Sequence, residues 1–132
     1  MKARSTTLRR ASERSGRQVE LLAALMLMLK GYRILGRRVR TRLGEIDLIA
    51  RSRSGILCFV EVKLRQTDSA ALDSVRMAQQ GRIARAAQLF LSQHPALGAK
   101  GVRFDVVTVG ARRLPRHFPG AWHPEDWRPP FG

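Results

Sequence analysis

The longest apolar run in the chain is Leu21–Leu29, LLAALMLML. It lies inside a segment, Ser12–Lys30, that reads as a helix, with Ser12 or Ser15 available as a cap and Gly31 to end it. A helix that is apolar on every side predicts burial against more than one neighbour. Tyr32–Arg40 (YRILGRRVR) then reads as a strand, interrupted at Gly36 by a bend or bulge. Glu45–Ala50 and Ile56–Leu64 are two further strands, separated by RSRSG, a loop of hairpin length.

Ser69–Gln93 has helical spacing, with Ile83, Ala87, Phe90 and Leu91 on one stripe. Gly81 sits awkwardly near its middle, and His94-Pro95 closes it. Val102–Val109 (VRFDVVTV) alternates as a strand, and the proline-rich remainder reads as a tail with little regular structure. The order is α-β-β-β-α-β, an α/β fold with a mixed sheet flanked by helices. One domain over residues 13–112 follows, between a disordered basic arm at 1–12 and a Pro-rich C-terminal tail at 113–132.

Composition adds one unusual feature. Lys and Arg number 25 against 10 Asp and Glu, a net charge of +15, with pI near 11.8. Such an excess bears on partners rather than on fold. Nucleic acid is the leading partner, because each neutralised phosphate releases counterions, and the charge by itself allows RNA as well as DNA. An anionic membrane surface, an acidic protein, or a generally basic surface also fits the charge. The apolar run is far short of the roughly 20 residues needed to span a bilayer, and no secretory pattern precedes it. A cytoplasmic protein without membrane association is the expectation. Cys58 stands alone within an apolar strand, so it reads as a small buried hydrophobe rather than half of a disulfide.

Against this background, GEIDLIARSRSGILCFVEVK (Gly44–Lys63) places three of the chain's ten acids, Glu45, Asp47 and Glu61, in its two most apolar strands. Side chains alternate faces along a strand. Glu45 and Asp47 therefore share one face, with Ile46, Leu48 and Ala50 on the other. Phe59, Glu61, Lys63 and Arg65 share a face of the next strand. If the loop pairs Ala50 with Cys58, Asp47 falls opposite Glu61; if it pairs Ala50 with Ile56, Asp47 faces Phe59 and Glu61 is a diagonal neighbour. Either register leaves two carboxylates within reach of one another. They repel unless a cation lies between them. Lys63 is one such cation, and a hard divalent ion with oxygen ligands and several waters is another. Acid–lysine pairs across antiparallel strands are common, so these residues also read as ordinary ion pairs.

Asp, hairpin, Glu-x-Lys resembles the motif of the restriction-endonuclease-like PD-(D/E)XK nuclease superfamily, whose core has this α-β-β-β-α-β order. More narrowly, GRQVELLAALMLMLKGYRIL (Gly16–Leu35), GEIDLIA (Gly44–Ala50), FVEVKLR (Phe59–Arg65) and RFDVV (Arg103–Val107) resemble the YraN-like family of small bacterial proteins. That family is similar in turn to archaeal Holliday-junction resolvases. The resemblance implies a metal-dependent endonuclease acting on branched or structured DNA. Asp47, Glu61 and the Val62 carbonyl would hold magnesium, or manganese in its place. Lys63 would position the nucleophilic water, and Glu20 matches an acid that completes the site from the first helix. Glu20 otherwise reads as a helix-surface acid paired with an arginine such as Arg17.

Arg40, Arg65 and Arg82 are the candidate phosphate contacts, and Arg76, Arg82 and Arg85 are spaced along one helix as either a phosphate-facing stripe or a solvated basic face. Glu45 reads as a supporting residue or an arginine's partner. Gly44 either allows a close backbone approach or ends a turn. Gln79-Gln80 stands where the family usually carries Lys-Gln. A homodimer would suit symmetric cleavage. The alternative function is a non-catalytic nucleic-acid-binding protein of the same fold, RNA-associated in one version.

The remaining signals are plainer. His94, His117 and His123 lack zinc spacing. Trp122 and Trp127 pin the tail or stack on bases. Asp105 pairs with Arg103 or another arginine. No nucleophile triad, phosphate loop or dinucleotide fingerprint is present.

Overall fold

The computed structural model describes residues 17–64, 77–110, 114–125 and 127. Helix α1 is described over 17–29. Strands β1 (Arg33–Thr41), β2 (Gly44–Arg51) and β3 (Leu57–Leu64) follow, then α2 (Met77–Gln93), a short 3-10 turn (Pro95–Gly98), β4 (Val102–Val109) and β5 (Arg116–Trp122). The basic arm, the expected start of the first helix, Arg65, and the expected helical residues 69–76 lie outside the described residues.

The sheet runs β1-β2-β3-β4-β5. Only β3 and β4 are parallel; every other neighbour is antiparallel. The architecture is thus α/β, a five-stranded mixed sheet with two α-helices among the described residues. A parallel pair needs a crossover, and α2 lies within it. Ala23, Ala24 and Leu27 of α1 cover one face, against Leu48, Ala50, Cys58, Val60, Val107 and Val109. Ile83, Ala86, Ala87 and Leu91 of α2 cover the other, against Ile49, Leu57, Phe59 and Phe104. Cover on both faces is why Leu57–Val60 is an unbroken apolar run rather than an alternating one. Cys58 is buried, and burial first of all pushes its thiol up to about 12, so it is inert.

Several sequence expectations hold. Gly31 ends α1 at φ +92, a conformation other residues resist. The irregularity expected at Gly36 is a register shift between Ile34 and Gly36. α2 runs straight through Gly81 and stops at Gln93, before His94-Pro95. No helix among the described residues is long and apolar enough to cross a membrane.

Three expectations are corrected. First, α1 is packed on one side only among the described residues; Leu21, Leu22, Leu25, Met28 and Leu29 remain exposed. Second, Ile46 does not share a core with Leu48 and Ala50. It packs with Val39 on the α2 side, while they pack on the α1 side. The pairings Arg37↔Leu48 and Val39↔Ile46 place Arg38 opposite Asp47, and Arg38 holds φ +49, the one positive value outside glycine among the described residues. A left-handed residue inside a strand breaks the pleat, so the hairpin beyond it turns toward α2.

Third, the tail is not without regular structure, because Arg116–Trp122 forms β5, antiparallel to β4. Pro119 and Gly120 hide the strand in sequence, but a proline is tolerated on an edge strand. Asp105, fully buried on β4, secures it: Oδ1 accepts the Gly120 N–H at 2.9 Å and Oδ2 faces His117 Nε2 at 2.8 Å. Arg103 adds the expected ion pair, Nε to Oδ1 at 2.8 Å, and also donates to the Tyr32 hydroxyl at 2.7 Å. Lys30 can only donate, so its 2.7 Å contact makes His117 Nδ1 an acceptor and leaves Nε2–H for Asp105. Trp122 and Trp127 pack on Phe104, with ring centroids 4.6 and 5.0 Å away, and pin the tail.

Candidate active site

The hairpin that carries the acids is shaped by Thr41. Its Oγ1 accepts the N–H groups of Leu43 and Gly44 and donates to the Gly44 carbonyl at 2.8 Å. Gly44 is where α2 comes nearest: a Cβ there would lie 3.3 Å from the Arg82 carbonyl oxygen. Both sequence readings of Gly44 hold: it ends the Thr41 turn and it admits the close approach of α2.

Of the two registers open in the sequence, the first is observed. Ala50 pairs with Cys58 and Leu48 with Val60, so Asp47 continues the series opposite Glu61. Asp47 Oδ2 accepts the Val62 N–H at 2.9 Å. Glu61 Oε1 lies 3.2 Å from Lys63 Nζ and accepts a 2.9 Å bond from Gln79 Nε2 of α2. The Lys63 side chain is only 12% exposed, so water disperses little of its charge.

Burial raises the pKa of both acids. For Glu61, desolvation comes first and the Asp47 charge second; Lys63 opposes them, and the result is about 7. Asp47 is raised chiefly by burial, against the Val62 N–H and Lys63. One lysine does not supply enough positive charge for two buried carboxylates.

Glu20 is buried on α1, with Arg38 Nε 3.3 Å from its Oε2. Its partner is thus Arg38 rather than Arg17. Burial, then the Asp47 charge, raises it to about 7, and Arg38 pulls it back. Glu20 therefore feels Asp47 through its charge, but it opens with Arg17, Arg37 and Arg38 onto a different depression. Arg38 also lies 3.6 Å from Glu45 Oε1, yet its buried Nε is aligned for a hydrogen bond with neither acid. Glu45 has a further arginine partner, Arg40, at 3.5 Å. Among the described residues, no three acid, His or Cys side chains close on one point as a metal cluster.

A cavity of about 210 Å³ gathers Gly44, Glu45, Asp47, Glu61, Gln79, Arg82 and Ile83. Arg82 thus borders the two acids, while Arg40 stands 80% exposed on β1. Arg65 and Arg76 lie outside the described residues. Sequence reasoning missed two participants. Gln79 was visible only as a departure from a family pair. Arg38 carried no signal at all, because a positive φ at arginine cannot be read from residue type.

Residues 19–109 match the model described as uncharacterised protein family UPF0102. The chain belongs to the UPF0102, or YraN-like, family. A UPF0102 protein of Rhizobium etli is 48% identical over 117 residues, which cover 89% of this chain and 95% of that protein. One of Agrobacterium fabrum is 52% identical over 110 residues, 83% of this chain and 89% of its own length. A third, of Caulobacter vibrioides, is 47% identical over 112 residues, 85% and 89% respectively. The UPF0102 match runs from α1 to the end of β4 and contains Glu20, Asp47, Glu61 and Lys63; β5 lies beyond it.

Proposed function

We propose that this UPF0102 protein is a metal-dependent endonuclease with a restriction-endonuclease-like core, hydrolysing phosphodiester bonds in branched or otherwise structured DNA. The observation that carries the reading is the buried Asp47–Glu61 pair with Lys63 beside it. Both acids have raised pKa values and share one cation, so the pair is short of positive charge. Its donors are all oxygen, the set magnesium selects. Asp47 and Glu61, with the Val62 main-chain carbonyl, would hold magnesium or manganese. When bound, the ion supplies charge stabilisation at the phosphoryl oxygens.

The chain's own residues do the rest. Lys63, fixed against Glu61, orients the attacking water and offsets negative charge where phosphorus is attacked. Gln79 holds Glu61 in place from α2. Arg40, Arg65 and Arg82 grip phosphates and so position the strand without reading bases. Glu20 adds an acid whose charge reaches Asp47.

A second reading rests on one specific observation: each site acid already has a protein partner. Asp47 has the Val62 N–H, Glu61 has Lys63 and Gln79, Glu20 has Arg38 and Glu45 has Arg40. On that reading the protein binds nucleic acid, RNA included, without cutting it.

The test pairs turnover with metal binding. The purified protein and Asp47→Asn are incubated with a four-way DNA junction, linear duplex and structured RNA, in magnesium, in manganese and in EDTA. Magnesium is also titrated calorimetrically into each protein bound to a cleavage-resistant phosphorothioate junction. Junction cleavage and metal binding by the wild type, both lost in Asp47→Asn while junction binding survives, are the expected results. No cleavage of any substrate, with binding indifferent to EDTA, selects the second reading.

A further inference from the structure

Helix α1 has a second face that nothing packs against among the described residues. Leu21 is 45% exposed, Leu22 48%, Leu25 46%, Met28 54% and Leu29 90%. Their spacing, i, i+1, i+4, i+7, i+8, places all five on one stripe. The inner stripe, Glu20, Ala23, Ala24 and Leu27, is buried on the opposite side. Between residues 18 and 29 the one charged side chain is Glu20, and it points inward. The outer stripe is therefore large, apolar and free of charge. It leaves on the order of 500 Å² open, at the upper end of what a monomer exposes in one patch.

We propose that this face pairs with a second copy of the chain, two α1 helices packing antiparallel about a twofold axis at Leu25. Charge and shape both select that occupant. Two copies of a +15 chain that meet through an arginine-bearing surface bring like charges together; this stripe offers no charge to repel. It is also self-complementary about its centre. With Leu25 on the axis, Leu21 of one copy meets Leu29 of the other, and Leu22 meets Met28, which is the pattern an isologous contact requires. Antiparallel packing further sets the positive end of each helix dipole beside the negative end of its mate. The pair covers on the order of 1,000 Å² in total, the size at which an interface becomes specific. Glu20 and the acids beyond it lie on the far side of α1, so both candidate sites stay open.

An anionic lipid surface is the rival occupant. Helices that lie in a membrane interface carry Lys and Arg on their polar face, whereas α1 has none from residue 18 to 29 and turns its other face onto the sheet. The dimer does not depend on the nuclease reading.

Sedimentation equilibrium on the full chain between about 0.1 and 100 μM tests it, alongside co-sedimentation with phosphatidylglycerol vesicles. The wild type is expected at twice the 14.9 kDa chain mass, with association strengthened by added salt. Leu25→Glu places two carboxylates on the axis and is expected to weaken dimerisation at least 100-fold with unchanged far-UV circular dichroism. Leu43→Glu, an equally exposed leucine on the β1–β2 hairpin, is expected to leave it intact. Leu25→Cys is expected to cross-link to itself under mild oxidation, since Cys58 is buried. A wild-type monomer at 100 μM, a dimer that survives Leu25→Glu, or a polydisperse ladder of larger species overturns the proposal. A monomer that pellets with the vesicles overturns it in favour of lipid.

Discussion

Gln79, on α2, donates to the same Glu61 oxygen that faces Lys63. The bond ties the second helix to the acid pair across a gap that the chain takes 18 residues to cover. It also fixes which Glu61 oxygen is turned toward α2 and which is left for a cation.

Gln79→Leu keeps the bulk and removes the donor. A residue that orients a ligand from behind is worth about ten- to a hundredfold in metal affinity. Calorimetric titration of magnesium into the junction-bound variant is expected to show roughly tenfold weaker binding. An unchanged affinity would mean that Glu61 does not hold the ion.

Asp47→Asn separates chemistry from stability. Asparagine can still accept the Val62 N–H, but it carries no charge beside Glu61 and Glu20. Cleavage is expected to fall at least 100-fold, while metal-free stability in urea rises by about 1 kcal/mol, since a buried, poorly compensated carboxylate is gone. The Asp47 charge is the second cause of the raised value at Glu20. Glu20 should therefore titrate below its value of about 7 in the variant, followed by carboxyl-carbon NMR. A stability loss of several kcal/mol would show that the aspartate is a structural partner.

Asp105 predicts the acid limb of the stability curve. Burial pushes its carboxyl up, but hydrogen bonds from His117, Arg103 and Gly120, with the Arg103 charge, hold it below the ordinary value. A folded pKa below the unfolded one, near 4, means that the stabilisation is complete above about pH 4 and disappears as pH falls through the folded value. Asp105→Asn leaves buried partners unpaired and is expected to cost about 3–5 kcal/mol at pH 7. It is also expected to flatten the loss of stability below about pH 4, read from urea midpoints. An unaltered acid limb would remove Asp105 from the account.

Gly81 is an opportunity for stabilisation. It lies within α2, and an added Cβ would approach only Arg85 Nη1, at 3.3 Å, the far end of a flexible side chain. Gly81→Ala is expected to raise stability by about 0.5–1 kcal/mol in urea or thermal unfolding. Destabilisation would mean that Arg85 cannot move aside.

Arg82 borders the acid pair, so its role as a phosphate contact has a salt signature. Arg82→Gln is expected to weaken binding to junction and duplex alike and to lower the slope of log affinity against log salt by about 1. Fluorescence anisotropy across a salt series checks it. An unaltered slope would assign Arg82 to a solvated face.

Much of this architecture was determined by short-range pattern. Period-two alternation and a loop of hairpin length are local properties, and together they bring Asp47 to Glu61 whichever register forms. Gly31 marked the end of α1. Nothing local marks the remaining features. β5 forms against the preferences of Pro119 and Gly120 because a buried aspartate 15 residues upstream accepts the Gly120 N–H. Ile46 leaves the face of Leu48 because Arg38, on another strand, adopts φ +49 opposite Asp47. Gln79 meets Glu61, and Arg38 meets Glu20, only when helix and sheet pack. Alternation and turn chemistry are written residue by residue, and the sequence alone determined them. A buried polar group must find its partner wherever the packed chain puts one, and only the tertiary structure decided those pairings.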